Sequence, residues 1–242
     1  MWAVLAEAAS PAPPPVTEAP KTRRCLRTKR SSPRTRPVRP LKASANSESK
    51  RMFESDFFEF FSRIPPWQPP AIYLPTIAVM LYLAFAAGAS FFGVLGGFIV
   101  GLTAWTLLEY WAHRVLFHWD AKSELGKKFV WILHGVHHDW PNDKLRLVFP
   151  PGLSVPLAIG FFFLFSFLFG DVHRYATFAG LVTGYLAYDM IHYATHHFTS
   201  DNAVFKYLRK YHMAHHFKHE PTRYGVSNPL WDYVFGTAPK KS

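Results

Sequence analysis

Cysteine is almost missing from this chain. Its 242 residues contain one, Cys25, so no intrachain disulfide and no thiolate metal cluster can form. Any metal must be held by nitrogen and oxygen donors. Charge is also missing over long stretches: from Ala71 to Ala112 the one charged side chain is Glu109. Acids are scarce at the start, where residues 1–51 hold twelve Lys/Arg against three acids; residues 52–242 carry fifteen against thirteen. The formal net charge of +11 therefore belongs to the leading segment. The body lacks the patterned basic stripe of a nucleic-acid-binding domain. A secretory signal layout is absent too, because the basic residues follow the short apolar start instead of preceding it.

What the chain does have is apolar length. The run 71–112 is 42 residues long, enough for two membrane crossings of roughly 20 residues each. Leu153–Gly170 supplies a third, and Tyr175–Ile191, interrupted only by Asp189, a fourth. Four such runs in a soluble protein of this size would leave too little polar surface to cover them. The expected fold is all-α, a multi-span membrane bundle of four transmembrane helices at about 71–89, 92–112, 153–170 and 175–191. The first two are hinged around Gly88–Ser90 or the 93–97 region.

Residues 1–51, with eight prolines and many Ser and Arg, cannot bury enough apolar surface to fold. They read as a disordered basic tail lying on anionic lipid or as an organelle transit segment. Residues 52–242 read as one membrane domain. Within it, FESDFFEFFSR (53–63) has the pattern of an interfacial helix capped by Ser55 or Asp56.

Thirteen histidines remain, and ten fall into four groups. They are His113 with His118; His134, His137 and His138; His192 with His196; and His212, His215 and His216. Each three-residue group has the spacing His-x-x-His-His, which puts positions i, i+3 and i+4 on one helical face. Counting crossings brings all four groups to one membrane face, and the basic tail with the positive-inside rule makes that face cytosolic. Neutral imidazole is a ligand for Zn, Fe, Cu and Ni, and ten are too many for one ion, so a cap holding two metals is expected. His113 and His118 lie about 140° apart on a regular helix, so the helix must bend or stop near residues 114–117 if both bind. His197 is out of phase with His192 by the same angle. His173 falls in the opposite loop, and His219 trails the last group. Glu109 and Asp189 are carboxylates at the ends of spans; either they accept an N–H from a ligand histidine and fix its tautomer, or they reach interfacial water.

The segments LLEYWAHRVLFH, HGVHHDWPNDKLRLVFPP, GYLAYDMIHYATHH and YHMAHHFKHEPTRYGVSNPLWDYVFGT resemble the membrane fatty acid 2-hydroxylases of the sterol desaturase/fatty acid hydroxylase superfamily. The likeness runs from about Ser55 to Thr237. It implies a dinuclear centre on the cytosolic face, ligated by the ten histidines above, over the end of an acyl tunnel. Tyr185, Tyr188 and Asp189 match family positions near the substrate. The implied reaction is O2-dependent hydroxylation at C2 of a long acyl chain, free or within ceramide. Iron would be the metal for turnover, with zinc possible in the isolated protein. No His-Pro-Gly-Gly haem motif occurs in the chain, so electrons are expected from NADH through a separate cytochrome b5 and its reductase. The implied location is the endoplasmic reticulum membrane, or a plastid membrane if residues 1–51 are a transit peptide. Competing readings are a carotenoid ring hydroxylase, a lipid desaturase and a non-enzymatic zinc-stabilised membrane scaffold.

Overall fold

The computed structural model describes residues 47–239 except His219. The expectation of disorder for residues 1–51 thus falls almost wholly outside the described residues, as does His219. Every regular element among the described residues is helical. A short helix α1 (Asp56–Ser62) precedes two long apolar helices, α2 (Gln68–Ala86) and α3 (Phe91–Trp111). The polar middle of the chain forms α4 (Glu124–Val130) and α5 (Val136–Asp139), followed by α6 (Pro151–His197), α7 (Ala203–Phe217) and α8 (Leu230–Val234). Ser55 stands at the N-cap of α1, although its side chain makes no capping bond.

The 47 residues of α6 are two helices, not one. Gly170 has φ 67° and ψ −172°, a conformation open to glycine and costly for other residues. Phe162 packs edge-on against Phe178 with ring centroids 5.3 Å apart, whereas sixteen residues of straight helix would span about 24 Å. The chain therefore folds back at Gly170 as a helical hairpin. Its return brings Asp189 level with Phe149, whose N–H donates to Asp189 Oδ1 at 3.1 Å.

Among the described residues, three helical stretches are long and apolar enough to cross a membrane: Gln68–Ala86, Phe91–Phe117 and Pro151–Gly170. The return arm of α6 does not meet that standard of composition, and the reason is its position. Ala176, Phe178, Ala179, Leu181, Val182 and Leu186 are all buried, so the arm lies inside the bundle, while Phe92 and Phe167 on the outer helices are 80% and 86% exposed.

Small residues let the return arm and α3 meet backbone to backbone. Gly97 and Gly101 on α3 lie against Ala176, Thr177 and Leu181 of α6, and Gly180 and Gly184 on α6 lie against Phe98, Leu102 and Trp105 of α3, two small-xxx-small stripes of the kind that pack helices in lipid. A Cβ at Gly101 would sit 1.8 Å from the Thr177 carbonyl oxygen, and one at Gly180 would sit 2.0 Å from that of Phe98. Neither can be accommodated without separating the helices. Gly160, on the outer arm, has nothing within 4 Å of such a Cβ.

At the far end of the bundle a capping layer carries α1, α4, α5, α7 and α8. Helix α1 exposes Phe57, Phe58, Phe60 and Phe61, and its Glu59 turns inward to pair with the buried Arg146. Arg146 Nη1 also donates to Ser62 Oγ at 2.7 Å. Burial alone would raise the Glu59 pKa, but the backbone N–H groups of Phe53 and Met52 and the Arg146 charge outweigh it and hold the carboxyl low.

Candidate metal centre

The ten histidines singled out by spacing converge in the cap as two groups of five. One contains His113, His118, His134, His138 and His215; the other contains His137, His192, His196, His212 and His216. Within each group the ring nitrogens facing one another all lie within 4.8 Å. Each His-x-x-His-His segment is shared between the groups. Its i, i+4 pair stays together and its middle histidine crosses over: His134 and His138 go one way, His137 the other; His212 and His216 one way, His215 the other.

Local helix geometry makes this possible. His113 and His118 are five residues apart, too far round an α-helix to share a face, but α3 continues as a π-helical turn over Ala112–Phe117. Its i→i+5 register brings them together, with their Nε2 atoms 3.3 Å apart. The helix widens between them instead of bending or stopping as the spacing suggested. A second π-turn, Trp131–Gly135, carries His134 and leads into α5 with His137 and His138. The return arm of α6 supplies His192 and His196, and one face of α7 supplies the last three.

The donor set fits two metal ions. Nε2 atoms meet at 3.1 Å (His113 and His134), 3.0 Å (His118 and His215), 3.0 Å (His137 and His192) and 2.8 Å (His196 and His212). Nitrogens bound to one ion at about 2.1 Å stand roughly 3 Å apart. His113 Nδ1 lies 2.6 Å from the Tyr224 carbonyl oxygen and His215 Nδ1 lies 3.0 Å from that of Thr222. Each Nδ1 must carry the proton to donate it, which leaves the Nε2 lone pair pointing into the cluster. Lone pairs gathered this closely repel unless a cation lies among them.

Burial first, then the crowding of neighbouring imidazoles, keeps these rings neutral. His134, His137, His138, His212 and His216 are held well below the ordinary imidazole pKa. His118 and His192 are lowered to about 3 and His196 to about 2. Neutral imidazole is the form that binds metal.

Glu109 and Asp189 do not do what their spacing suggested. Glu109 accepts from the backbone N–H groups of Val226 at 2.7 Å and Ser227 at 2.8 Å, and from the Ser227 hydroxyl. Asp189 accepts from Phe149 N–H and, at 3.3 Å, from the Tyr185 hydroxyl. Neither carboxylate receives an N–H from one of the ten histidines. Glu109 acts one step further out, holding the loop that carries the Tyr224 carbonyl. Asp232, fully buried, holds the same loop through the N–H groups of Tyr224 at 2.9 Å and Gly225 at 2.8 Å, and through the Thr237 hydroxyl at 2.7 Å. The sequence reading overlooked Asp232, Tyr224 and Thr222. An acid set among aromatic residues in NPLWDYVFGT was the available sign of the first; carbonyl partners leave no sign in sequence.

His173 lies at the opposite end of the bundle, beside Gly93. His197 belongs to neither group; its ring packs on Tyr193 at 4.5 Å.

One cavity adjoins the histidines and a second lies behind it. A small polar one of about 60 Å³ is lined by His134, His137, His192, Asp189 and Arg146. An apolar one of about 220 Å³ runs into the bundle between α3 and the α6 hairpin, past Trp105, Leu181 and Tyr185. Phe117, Phe149 and Tyr188 line both and form the seam between them. Tyr188 also packs against His192, with centroids 5.7 Å apart. Tyr188 therefore stands between the two spaces, with Asp189 on the wall of the small one and Tyr185 on the wall of the apolar one.

A family model described as fatty acid hydroxylase matches residues 98–237. Two relatives from Arabidopsis thaliana are the dihydroceramide fatty acyl 2-hydroxylases FAH2 and FAH1. They are 41% and 37% identical to this chain, over 79% and 81% of it and 81% and 82% of their own lengths. A solved structure, full-length scs7p with only its hydroxylase domain visible, is 37% identical. It superimposes with a TM-score of 0.72 over 76% of this chain and 70% of that one. By sequence and fold together, this chain is a member of the fatty acid hydroxylase family.

Proposed function

We propose that the protein is a membrane fatty acid 2-hydroxylase, inserting one oxygen atom of O2 at C2 of a long acyl chain, free or within ceramide. The observation that carries this reading is the seam at Phe117, Phe149 and Tyr188, which separates an apolar cavity inside the bundle from a small polar cavity lined by His134 of one histidine group and by His137 and His192 of the other. A chain lying in that cavity presents only its first carbons to the histidines. Position C2 is thereby selected by burial of everything beyond it, and C1 with its head group points into the small polar cavity.

The ten histidines are assigned as ligands of two ions, five to each, on the strength of their converging Nε2 atoms. Iron is the metal for turnover, and when bound it supplies the activation of dioxygen. Zinc fits the same nitrogen set but has no redox chemistry, so a zinc-loaded protein would keep its shape without hydroxylating. The remaining roles belong to the chain. Tyr188 and Phe117 orient the first carbons, and the Tyr185–Asp189 pair fixes the end of the return arm below His192. The Glu59–Arg146 clamp keeps water out of the polar cavity.

Electrons are assigned to NADH through a separate cytochrome b5 and its reductase. The return arm of α6 is the fourth crossing, at about 175–191. The histidine cap faces the cytosol, because Glu59–Arg146 ties the segment following the basic tail to the cap and basic flanks stay inside. The endoplasmic reticulum is the proposed membrane; a plastid membrane applies if residues 1–51 are removed as a transit peptide. The test is sphingolipid analysis of cells expressing the chain with and without iron. Species with 2-hydroxylated acyl chains should rise only with both present; no rise with the protein in the membrane and iron supplied would refute the reading.

A further inference from the structure

The apolar cavity has a neighbour. A second space of about 300 Å³ lies between α2 and the outer arm of α6, reaching down to Thr76, Met80 and Phe178. Tyr73 and Ala158 line both spaces. Tyr73 is 3% exposed. Its hydroxyl is bonded to Ser154 Oγ at 2.7 Å and its ring stands edge-on to Tyr185 at 5.0 Å. The side chain is thus braced at both ends, by a hydrogen bond to one arm of the hairpin and by an aromatic contact to the other. Ala158 lies one helical turn below Ser154 on the same arm and is the smallest side chain in the shared wall.

We infer that Tyr73, positioned by Ser154, and Ala158 determine which acyl chain lengths are accepted. Longer chains pass over Ala158 into the second space, which more than doubles the room available. This rests on the acyl hydroxylase reading, since it places C2 at the histidines and the remaining carbons in the first cavity. Tyr73 sets the width of the passage and Ala158 leaves it open. Thr76 lines only the second space, so bulk added there meets only a chain that has crossed. No part of the passage touches the histidines, so these substitutions should change which chain lengths are used, and any product formed should still carry its hydroxyl at C2.

The experiment feeds cells expressing each full-length variant a mixture of saturated fatty acids, graded from palmitic to tetracosanoic. It reads the ratio of longest to shortest 2-hydroxy product within each sample, which is independent of how much protein folds. Ala158→Phe and Thr76→Phe should each lower that ratio about tenfold, the low end of what one methylene group is worth in an apolar pocket. Tyr73→Ala should raise it, and Tyr73→Phe, which loses only the bond to Ser154, should raise it less. Ratios within twofold of the parent chain for both Phe-filling variants would overturn the inference while leaving 2-hydroxylation standing. Failure of the parent chain to form any 2-hydroxy product would sink the functional reading and this inference with it.

Discussion

In the first histidine group, His113 and His215 each give an Nδ1 proton to a backbone carbonyl, of Tyr224 and Thr222. In the second, His137, His212 and His216 bury Nδ1 atoms that have no hydrogen-bond partner among the described residues. The ligand sets are alike, two i, i+4 or π-spaced pairs plus one crossed-over histidine, but their supports differ. The first group is oriented by the segment 222–237, fastened from below by Glu109 and from within by Asp232. The second is oriented mainly by the packing of α5, α7 and the return arm of α6. One chemistry is thus held by two different means, and each can be disturbed separately.

The largest expected effect comes from removing a ligand. His138→Ala in the first group or His212→Ala in the second should each abolish 2-hydroxylated lipid. Retention of full product by either variant would remove that histidine from the ligand set. The crossed-over histidines give a sharper test. His137→Ala and His215→Ala each sit on a segment whose other two ligands serve the opposite ion, so each should lower metal content by more than one ion per chain in the purified protein.

Glu109→Gln should separate the groups. The amide keeps one acceptor oxygen but sets an N–H₂ against donors now satisfied by carboxylate, and loosens the loop carrying the Tyr224 carbonyl. Loss of such outer support costs about 10–100-fold in metal affinity. Metal titration should therefore show one weakened and one nearly unchanged site. Two equally weakened sites would contradict the difference in support.

Acid should act on both groups together. The imidazoles outside the membrane spans titrate below the ordinary value of 6.5 in the folded chain, so the unfolded chain takes up protons first as pH falls. The stability they contribute is complete above about pH 6.5, and for His118, His192 and His196 it is lost as pH falls towards 3 and 2. Bound metal and thermal stability should decline together over that window; a flat profile between pH 6 and pH 4 would count against buried, neutral ligands. The smallest effect is expected at His197, outside both groups. His197→Ala should leave product within about twofold, as surface and near-surface changes away from special features do.

Much of this was legible in the sequence because helical periodicity is a local property. The pairs His134/His138, His192/His196 and His212/His216 share a face by spacing alone and share a group in the structure. The traffic of His137 and His215 was not legible, since it depends on which way two separate helices pack. Nor was the π-turn: AHRVLF carries no marker of a widened helix, and only the need to reconcile His113 with His118 hinted at something irregular. The partners of Glu109 are hidden for a related reason. Its place one turn before His113 points to that ring or to interfacial water, whereas its partners, Val226 and Ser227, are more than a hundred residues away. The apolar runs announced themselves; the buried return arm, sheltered by its neighbours, needed less apolar composition than a lipid-facing span and stood out less.

The reliance of the first group on residues 222–237 bears on how the protein is made. Synthesis runs from the N-terminus, so α2, α3 and the hairpin are complete well before the carbonyls of Thr222 and Tyr224 leave the ribosome. The membrane portion can be inserted while the imidazole of His113 is still without the Tyr224 carbonyl that aims it. If that group takes a metal as proposed, its loading is then expected to come late, after residues 222–237 have emerged. A chain cut short after Phe217 would be expected to reach the membrane carrying every one of the ten histidines and yet fail to retain both ions.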